Sequence, residues 1–334
     1  MMQNSSLPLL AVTLGDPAGC GPEIVARVLS SPPPGVRLVC IGDASVLQKA
    51  LPVVGSTITL HAIRDLSQAA FAPGTLEVLD LQNVDLSTLR IGQVQAAGGQ
   101  AAYEYVTTAI DLAMAGQVDG VVTSALNKEA LHQAGHKFDG HTQIFSERTQ
   151  ARSVTMMLAS GSFRVTHVST HVALKQAVER VKPARIVEVI RLTVEGVRLM
   201  GIETPRIAVA GLNPHSGEGG IFGREEIEQI QPAIEEARSL GYNIYPHPVP
   251  GDTVFVRMRE FGEFDAVVAQ YHDQGHVAAK LVDFWGGVNI TLGLPIIRTS
   301  VDHGTAFDVA YTGRANPKSL INAIEYARLM TQNK

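Results

Sequence analysis

Short apolar runs alternate with helix-like segments along this chain, and this alternation constrains the fold more than any other feature. An apolar run at residues 10–14 precedes a predicted helix at residues 22–29, and a run at residues 36–41 precedes a predicted helix at residues 44–50. Strands that alternate with helices build a largely parallel sheet covered by helices. The sequence therefore predicts an α/β fold.

Length and charge limit the number of domains and the class of partner. With 334 residues, 45% apolar content and 18% charged residues, the chain exceeds one typical core and fits two α/β domains. The net charge of −5 and a pI near 6.1 argue against a nucleic-acid or anionic-membrane surface, because either needs a strong positive field. We therefore expect positive charge only within a site for a small molecule.

The cysteines and the N-terminal segment indicate a cytoplasmic protein. Cys20 and Cys40 form neither a disulfide framework nor a cysteine-based zinc motif. The apolar run at residues 7–14 is short, lacks a basic segment before it and leads into a glycine-rich turn, so it predicts a first strand rather than a signal peptide. The apolar runs are all too short to span a bilayer.

The first loop with chemical potential is Gly15-Asp-Pro-Ala-Gly-Cys-Gly-Pro-Glu23, between the first strand and the first helix. Its three glycines let the backbone approach a ligand, and Pro22 suits the first position of a helix whose amide groups can face an anion. The glycine spacing matches neither the Rossmann nor the Walker motif. A dinucleotide or phosphate nearby is one interpretation, and a purely structural turn is the other.

A second candidate is Asp139-Gly-His141-Thr142 at the start of a predicted helix. The His141 and Thr142 side chains and the first amide groups of the helix suit a phosphate or a carboxylate. The alternative is that Thr142 or Asp139 only caps the helix.

Histidines follow three separate predicted strands, at His171, His215 and His272. Three imidazoles with an open position describe a catalytic divalent-metal site, most often zinc. His167 and His276 lie four residues from His171 and His272, so spacing alone leaves the choice of ligands open. Asp252 and Asp273 are candidates for orienting these histidines or for accepting a proton.

Three cationic or amide side chains follow in the same half of the chain. We predict that residues 270–280 form a loop after the apolar run at residues 266–269, and Lys280 ends it. Asn289 and Arg298 interrupt an apolar segment that follows. Together they can bind an anionic group, Arg298 through a bidentate fork and Lys280 as a point charge. Each could instead belong to a surface ion pair.

Near the C-terminus, His303-Gly-Thr-Ala-Phe-Asp308 is followed after seven residues by Asn316-Pro. This spacing resembles the adenosine-binding loop of the decarboxylating isopropylmalate and isocitrate dehydrogenases. The resemblance implies that Asp308 accepts hydrogen bonds from the adenosine ribose and that Asn316 contacts the adenine. A carboxylate at the ribose also repels a 2′-phosphate, which favours NAD over NADP.

The glycine-rich loop at residues 15–23 resembles, with an insertion, the Gly-Asp-Gly-Ile-Gly-Pro-Glu loop that lies near the nicotinamide in the same dehydrogenases. The two resemblances occur in the expected order along the chain. They imply cofactor contacts for Gly19, Gly304 and Thr305 as well.

Further motifs extend the resemblance over the whole chain: Gly-His-Thr, Ser-Thr-His, Gly-Leu-Asn-Pro-His-Ser-Gly-Glu, Tyr-His-Asp-Gln-Gly, Gly-Val-Asn-Ile-Thr-Leu-Gly-Leu-Pro and Arg-Thr-Ser-Val-Asp-His-Gly-Thr-Ala. Together with the glycine-rich loop they resemble the 4-hydroxythreonine-4-phosphate dehydrogenase family of vitamin B6 synthesis. This implies an isocitrate/isopropylmalate dehydrogenase-like fold with two α/β domains and an interdomain cleft. We expect one domain from residues 1–130 with 300–334, and another from residues 131–299 with the metal loops and the contacts of a homodimer.

The resemblance also assigns roles to residues. It implies one divalent metal per subunit, zinc first and magnesium or cobalt as alternatives, in a site completed at the dimer interface. The implied metal ligands are His171, His215 and His272. The implied contacts to a phosphorylated substrate are made by His141, Thr142, Lys280, Asn289 and Arg298.

The residue after Gly275 indicates a branch of the family. The vitamin B6 enzymes tend to read Gly-Leu-Pro at this point, whereas this chain has Gly275-His276 and resembles a sister branch that oxidises D-threonate or D-erythronate 4-phosphate. The implied reaction oxidises the C3 hydroxyl with hydride transfer to NAD, after which the 3-keto acid loses CO2. Candidates for the base are Lys280, Asp252, Asp273 and a water molecule at the metal.

Two other classes of function remain open at this point. A phosphate acyltransferase is one, because the same architecture serves such enzymes, although the segment at residues 303–317 argues against it. A non-catalytic binding protein for a phosphorylated metabolite is the other, but it would leave the three histidines unexplained.

Overall fold

The computed structural model describes residues 7–334, and over that range it is an α/β protein with eleven strands and eleven helices. The strands are β1 (Leu9–Thr13), β2 (Arg37–Gly42), β3 (Thr59–Ile63), β4 (Thr75–Asp80), β5 (Gly120–Thr123), β6 (Thr155–Ser160), β7 (Phe163–His167), β8 (Ile207–Val209), β9 (Ala266–Ala269), β10 (Val288–Leu292) and β11 (Ile297–Val301). The helices are α1 (Gly21–Leu29), α2 (Ala44–Ala50), α3 (Ala96–Met114), α4 (Lys128–Gln133), α5 (His141–Thr149), α6 (Leu174–Glu179), α7 (Pro183–Leu199), α8 (Gln231–Ser239), α9 (Val254–Arg259), α10 (His272–Val282) and α11 (Lys318–Gln332). Within residues 7–334, none of these helices is long and apolar enough to cross a membrane.

The chain divides into two compact units. The first contains the described residues up to Ser153 together with Leu294–Gln332, and the second contains Val154–Gly293 with Asn333–Lys334. The sequence assigned residues 131–299 to the second domain, whereas the structure places 131–153 and 294–299 in the first.

Contacts with α3 and β5 explain this difference in the boundary. In α5, Arg148 Nε donates to Asp111 Oδ1 of α3 at 2.7 Å. The His136 ring stacks on Tyr103 of α3 with 3.7 Å between the ring centroids. Strand β11 pairs with β5, with Arg298 opposite Val121. These pairings depend on packing between distant segments, which the local sequence pattern does not reveal.

The first unit contains a parallel six-stranded sheet in the order β3-β4-β2-β1-β5-β11. All five residues of β1 are buried, which explains its continuous apolar sequence, because a central parallel strand is covered on both faces. In parallel strands the carboxyl ends lie at the same edge of the sheet, where ligands bind in open α/β folds. The loops that follow β1, β5 and β11 therefore lie side by side.

The second unit contains a mixed sheet in the order β10-β6-β7-β9-β8. Strand β6 pairs antiparallel with β10 and β7, while β7, β9 and β8 run parallel. A core that includes Leu158, Phe163, Val165 and Val267 packs against it. The carboxyl ends of β7, β8 and β9 share one edge, and they precede His171, His215 and His272 respectively.

Two predicted elements of the second unit take another form. The segment at residues 270–280, predicted as a loop, is mostly helical because α10 begins at His272, so that prediction was wrong. The glycine that suggested a loop is needed for close packing, since a Cβ at Gly275 would overlap His167 Nε2. The sequence Tyr-Asn-Ile-Tyr at residues 242–245 also predicts a strand, but the segment forms only a single bridge between Ile207 and Ile244.

Candidate active site

In the first unit, the two loops predicted to face a dinucleotide lie against each other. The Cys20 amide donates to the Thr305 carbonyl at 2.8 Å, and the Tyr311 hydroxyl donates to the Pro17 carbonyl at 3.0 Å. A Cβ on Gly19 would lie 2.8 Å from the Thr305 carbonyl oxygen, so only glycine fits without displacing the backbone. The structure thus brings together two sequence segments almost 300 positions apart.

The remaining predicted cofactor residues differ in exposure. Asp308 and Gly304 are exposed, and a Cβ on Gly304 would meet nothing within 4 Å, so room for a ligand exists there. Thr305 is buried between the two loops. Asn316 Oδ1 accepts from the Lys318 amide at 3.0 Å and thereby caps the start of α11. An exposed carboxylate beside an uncrowded glycine fits the ribose of a dinucleotide.

Asp16 in the same loop is a buried carboxylate that the motif did not single out. Its Oδ1 accepts from the Ala18 amide at 2.9 Å, and its Oδ2 is buried with no hydrogen-bond partner in the described part of the chain. Desolvation by burial raises the pKa of Asp16 to about 6, although the Ala18 amide opposes that shift.

The first unit also holds three of the predicted anion-binding residues. His141 and Thr142 begin α5, as predicted, and Gly140 before them provides no side chain to cap the first amide groups. Arg298 on β11 is 2% exposed. Its Nη2 donates to Thr123 Oγ1 at 2.8 Å, and its guanidinium carbon lies 5.4 Å from the centroid of the Phe145 ring.

The electrostatics of this group favour an anion. Burial lowers the pKa of Arg298 to about 9, because the charged guanidinium is removed from water. Burial, and secondarily the charge of Arg298, hold the pKa of His141 well below its usual value. His141 is therefore neutral near pH 7, and its buried Nε2 has no hydrogen-bond partner within residues 7–334. A bound phosphate would give the buried Nε2 of His141 a hydrogen-bond partner.

The second unit contains the other two predicted substrate residues. Lys280 lies on α10, with Nζ 5.5 Å from the centroid of the Phe284 ring. Asn289 on β10 donates from Nδ2 to the Met156 sulfur at 2.8 Å, and its buried Oδ1 meets no hydrogen-bonding group among the described residues.

Two of the three predicted metal ligands lie close together. The rings of His171 and His272 have centroids 5.6 Å apart and planes inclined by 48°. Two imidazoles bound to one zinc ion at Zn–N distances of about 2 Å place their centroids roughly 5 Å apart, so this pair fits a shared ion. His272 Nδ1 donates to Asp273 Oδ1 at 2.7 Å, an arrangement that would leave Nε2 to bind a metal.

His215 lies in a strained loop after β8. Residues 215–219 all have positive φ, including His215 at 50°, Ser216 at 52° and Glu218 at 43°. Such conformations cost about 1 kcal/mol or more per non-glycine residue, and they concentrate at functional sites. The His215 side chain is 65% exposed and donates from Nδ1 to Glu218 Oε2 at 3.0 Å.

Glu226 anchors the front of this loop. Its Oε1 accepts from the amides of Leu212 and Asn213, each at 2.7 Å, and its Oε2 accepts from Asn213 Nδ2 at 2.9 Å. Glu226 is 4% exposed and belongs to a π-helical turn, Glu226–Ile230.

Over residues 7–334, no three side chains of His, Cys, Asp or Glu lie close enough together to form a metal site.

The competing histidines pack behind His272. The His276 ring stacks on the His272 ring with centroids 3.6 Å apart, and its Nδ1 donates to the His272 carbonyl at 3.0 Å. His167 is 1% exposed, with its ring centroid 4.7 Å from that of His276, and burial lowers its pKa to about 3. Of the candidate bases, Asp252 and Asp273 are both exposed.

Comparison with known proteins identifies the family. Residues 35–327 match the family model described as pyridoxal phosphate biosynthetic protein PdxA. D-threonate 4-phosphate dehydrogenase of Salmonella typhimurium is 46% identical over 95% of this chain and 97% of the relative. 4-hydroxythreonine-4-phosphate dehydrogenase of Beijerinckia indica is 47% identical over 95% of this chain and 94% of the relative.

Solved structures agree with this relationship. A crystal structure of 4-hydroxythreonine-4-phosphate dehydrogenase from Klebsiella pneumoniae superimposes with a TM-score of 0.88 at 43% identity, over 97% of this chain and all of the other. The predicted isocitrate/isopropylmalate dehydrogenase-like fold class is confirmed. The relatives are named as dehydrogenases, which confirms the predicted enzyme class. The chain therefore belongs to the PdxA family of pyridoxal phosphate biosynthetic proteins.

Proposed function

We propose that this enzyme is an NAD- and divalent-metal-dependent dehydrogenase that oxidises the C3 hydroxyl of D-threonate or D-erythronate 4-phosphate, with loss of CO2. The observation that carries the proposal is the 46% identity to a D-threonate 4-phosphate dehydrogenase over 95% of the chain. A relative named for 4-hydroxythreonine 4-phosphate is 47% identical, so identity alone does not rank the two substrates. His276 favours the sugar-acid phosphate, and 4-phosphohydroxy-L-threonine is the alternative.

The phosphate of the substrate would bind at the start of α5 and at Arg298. Arg298 provides a buried positive charge, neutral His141 provides an imidazole that can donate one hydrogen bond, and Thr142 lies among the uncapped amides of the helix. Lys280 and Asn289 are the other proposed substrate contacts. The nitrogen of Lys280 and the amide of Asn289 suit the hydroxyl and carboxylate oxygens of a sugar acid.

The metal would be held by His171, His215 and His272, with zinc the first candidate and magnesium or cobalt the alternatives. The donor set fits, because three neutral imidazoles suit zinc and the Asp273 carboxylate fixes the tautomer of His272. When bound, the metal supplies polarisation of the C3 hydroxyl, and NAD supplies the hydride acceptor.

Lys280 is the proposed base for the C3 hydroxyl. Asp273 is engaged by His272 at 2.7 Å, and its side chain is 76% exposed, so it serves better as the orienting partner of that histidine. Asp252 is also exposed. Lys280 shares helix α10 with His272, so its amine lies on the same element as a proposed metal ligand.

A homodimer is the proposed assembly, with the active site near its interface. Four apolar side chains on α10 and the turn after it are exposed: Val277 by 57%, Leu281 by 83%, Phe284 by 63% and Trp285 by 59%. Exposed apolar clusters of this kind mark interaction surfaces. Because α10 also carries His272 and Lys280, a partner subunit on this face would adjoin the proposed metal.

The cytoplasm is the proposed location of the protein, because the free thiols of Cys20 and Cys40 suit a reducing compartment.

The test is NADH formation, followed at 340 nm, when the purified enzyme meets NAD and D-threonate 4-phosphate. We expect turnover that disappears with a chelator and returns when zinc, magnesium or cobalt is added back. Absence of NADH with all three phosphorylated substrates, together with acyl transfer to phosphate from an acyl-CoA, would instead establish a phosphate acyltransferase. Ligand-dependent thermal stabilisation without any turnover would establish a binding protein.

A further inference from the structure

Glu23 connects the first helix to the C-terminal loop of the proposed cofactor site. Its side chain is fully buried in the first turn of α1. The carboxylate accepts from two backbone amides of that loop, from Ala315 to Oε1 at 2.9 Å and from Gly313 to Oε2 at 3.1 Å. Both oxygens are therefore engaged by a segment 290 residues or more away in sequence.

Arg27, one helical turn further on, strengthens the same attachment. Its Nη2 donates to the Gly313 carbonyl at 2.9 Å and lies 3.7 Å from Glu23 Oε1. Glu23 and Arg27 thus hold both the amide and the carbonyl of Gly313. The arginine side chain is 36% exposed, whereas that of Glu23 is fully buried, so Glu23 provides the stronger anchor.

The anchored residues adjoin the groups proposed to bind the dinucleotide. Asn316 directly follows Ala315, and Asp308 lies between the Glu23 anchor and the contact of Thr305 with Cys20. The loop is therefore fixed on both sides of Asp308. A buried carboxylate is retained only where hydrogen bonds compensate its desolvation, so its two amide contacts fix the local backbone closely.

We propose that Glu23 is a positioning residue for the nicotinamide cofactor. It holds residues 313–315 so that Asp308 and Asn316 are placed for adenosine before the cofactor arrives, and it contacts neither substrate nor reacting atoms. Binding to a preformed loop avoids the free-energy cost of ordering that loop. This inference rests on the proposed function, in which this loop binds NAD.

The experiment is a fluorescence titration of NADH into the metal-loaded enzyme without substrate, for the wild type and Glu23→Gln. The substitution keeps size and shape but turns one acceptor into a donor that faces a backbone amide. We expect the Kd for NADH to rise about tenfold, as for loss of one charge-assisted hydrogen bond. In steady state the KM for NAD should rise in parallel, while the KM for the phosphorylated acid stays within about twofold.

Two further variants separate the possible outcomes. Arg27→Gln removes only the outer contact and is expected to weaken NADH binding about threefold. Asp308→Asn tests whether the loop binds the cofactor at all. If Asp308→Asn leaves NADH affinity unchanged, the assignment of this loop in the proposed function fails.

The inference about Glu23 is overturned if Asp308→Asn weakens NADH binding while folded Glu23→Gln binds NADH as the wild type does. A purely structural role would lower the melting temperature and raise both Michaelis constants together, which also overturns it. If Glu23→Gln does not fold, the proposal is tested with Arg27→Gln instead. An unchanged Kd for NADH in Arg27→Gln would then contradict it.

Discussion

The proposed cofactor loops of the first unit and the histidine loops of the second unit share one structural feature, a buried glutamate, but differ in how far their backbones are held in place. Each contains a buried glutamate that accepts two backbone amides, Glu23 from Gly313 and Ala315, and Glu226 from Leu212 and Asn213. The cofactor loops are closed on each other through backbone hydrogen bonds. By contrast, His215, which follows the residues held by Glu226, is exposed and lies in a segment with left-handed backbone conformation.

This difference distinguishes two ways of preparing a site. The dinucleotide would meet groups that the backbone already places, so its binding needs little rearrangement. The metal would instead have to gather His215 with His171 and His272, and its binding free energy would offset the backbone strain at residues 215–219. Cofactor binding and metal binding should therefore respond to mutation independently.

The largest expected effect is that of Lys280→Met in the second unit. Removing the proposed base should lower kcat by about 10⁴-fold while metal content and NADH affinity stay at wild-type values. Steady-state kinetics with metal analysis of the same sample provide the measurement. Lys49→Met, on the exposed face of α2, is the matched control and should retain full activity. A fully active Lys280→Met enzyme removes Lys280 from the mechanism.

His272→Ala should lower kcat by about 10³-fold, because polarisation of the hydroxyl is lost with the metal. Plasma mass spectrometry should find less than stoichiometric metal, whereas the Kd for NADH should remain unchanged because the proposed cofactor loops belong to the other unit. His276→Leu should retain its metal. Loss of the metal from His276→Leu but not from His272→Ala would contradict the assignment of His272 as a ligand. Loss of NADH binding in His272→Ala would contradict the independence of the two regions.

Arg298→Met should raise the KM for the phosphorylated acid by about a hundredfold, as for loss of hydrogen bonds to a charged group. The preference for phosphorylated over unphosphorylated D-threonate should fall by the same factor, while the Kd for NADH changes little. Steady-state kinetics with the two substrates measure both effects. Equal losses with both substrates would show that Arg298 does not act on the phosphate.

Asp16→Asn should change stability rather than affinity, and only above acidic pH. Because burial raises the pKa of Asp16 from 3.8 to about 6, the folded protein holds a proton that the unfolded chain releases between these values. The wild type thus loses stability as pH rises from 4 to 6, by roughly 3 kcal/mol in total. Denaturant unfolding should find Asp16→Asn more stable at pH 8 and equal to the wild type near pH 4. A stabilisation that does not vary with pH would contradict this account of Asp16.

The sequence was most informative where a local pattern also determines the local structure. The apolar runs predicted the strands that precede each site loop, and Gly140 before His141 and Thr142 marked the start of α5 correctly. In the sheet, β5 lies between β1 and β11, and a sequence pattern does not encode this strand order. The contact of Glu23 with Ala315 depends on that order, so no spacing rule could identify it. A glutamate in the first turn is favourable for any helix, so its position alone does not reveal this contact.

Other features depend on packing at longer range. Gly275 suggested a loop, yet it allows α10 to approach His167. The domain boundary reflects the pairing of β11 with β5 and the contacts of α5 with α3. Glu226 begins a π-helical turn, Glu226–Ile230, that leads directly into α8. The metal ligands remain a prediction, supported by the 5.6 Å approach of His171 and His272.

The proposed function is tested most directly by one steady-state assay of NADH formation with D-threonate 4-phosphate, D-erythronate 4-phosphate and 4-phosphohydroxy-L-threonine. 4-Phosphohydroxy-L-threonine differs from the two sugar-acid phosphates mainly at C2, where an amine replaces a hydroxyl, and such a difference is worth about tenfold or more in kcat/KM. We predict the highest kcat/KM for one of the two sugar-acid phosphates. A higher kcat/KM for 4-phosphohydroxy-L-threonine would contradict the assigned substrate, and no NADH from any of the three would contradict the proposed reaction.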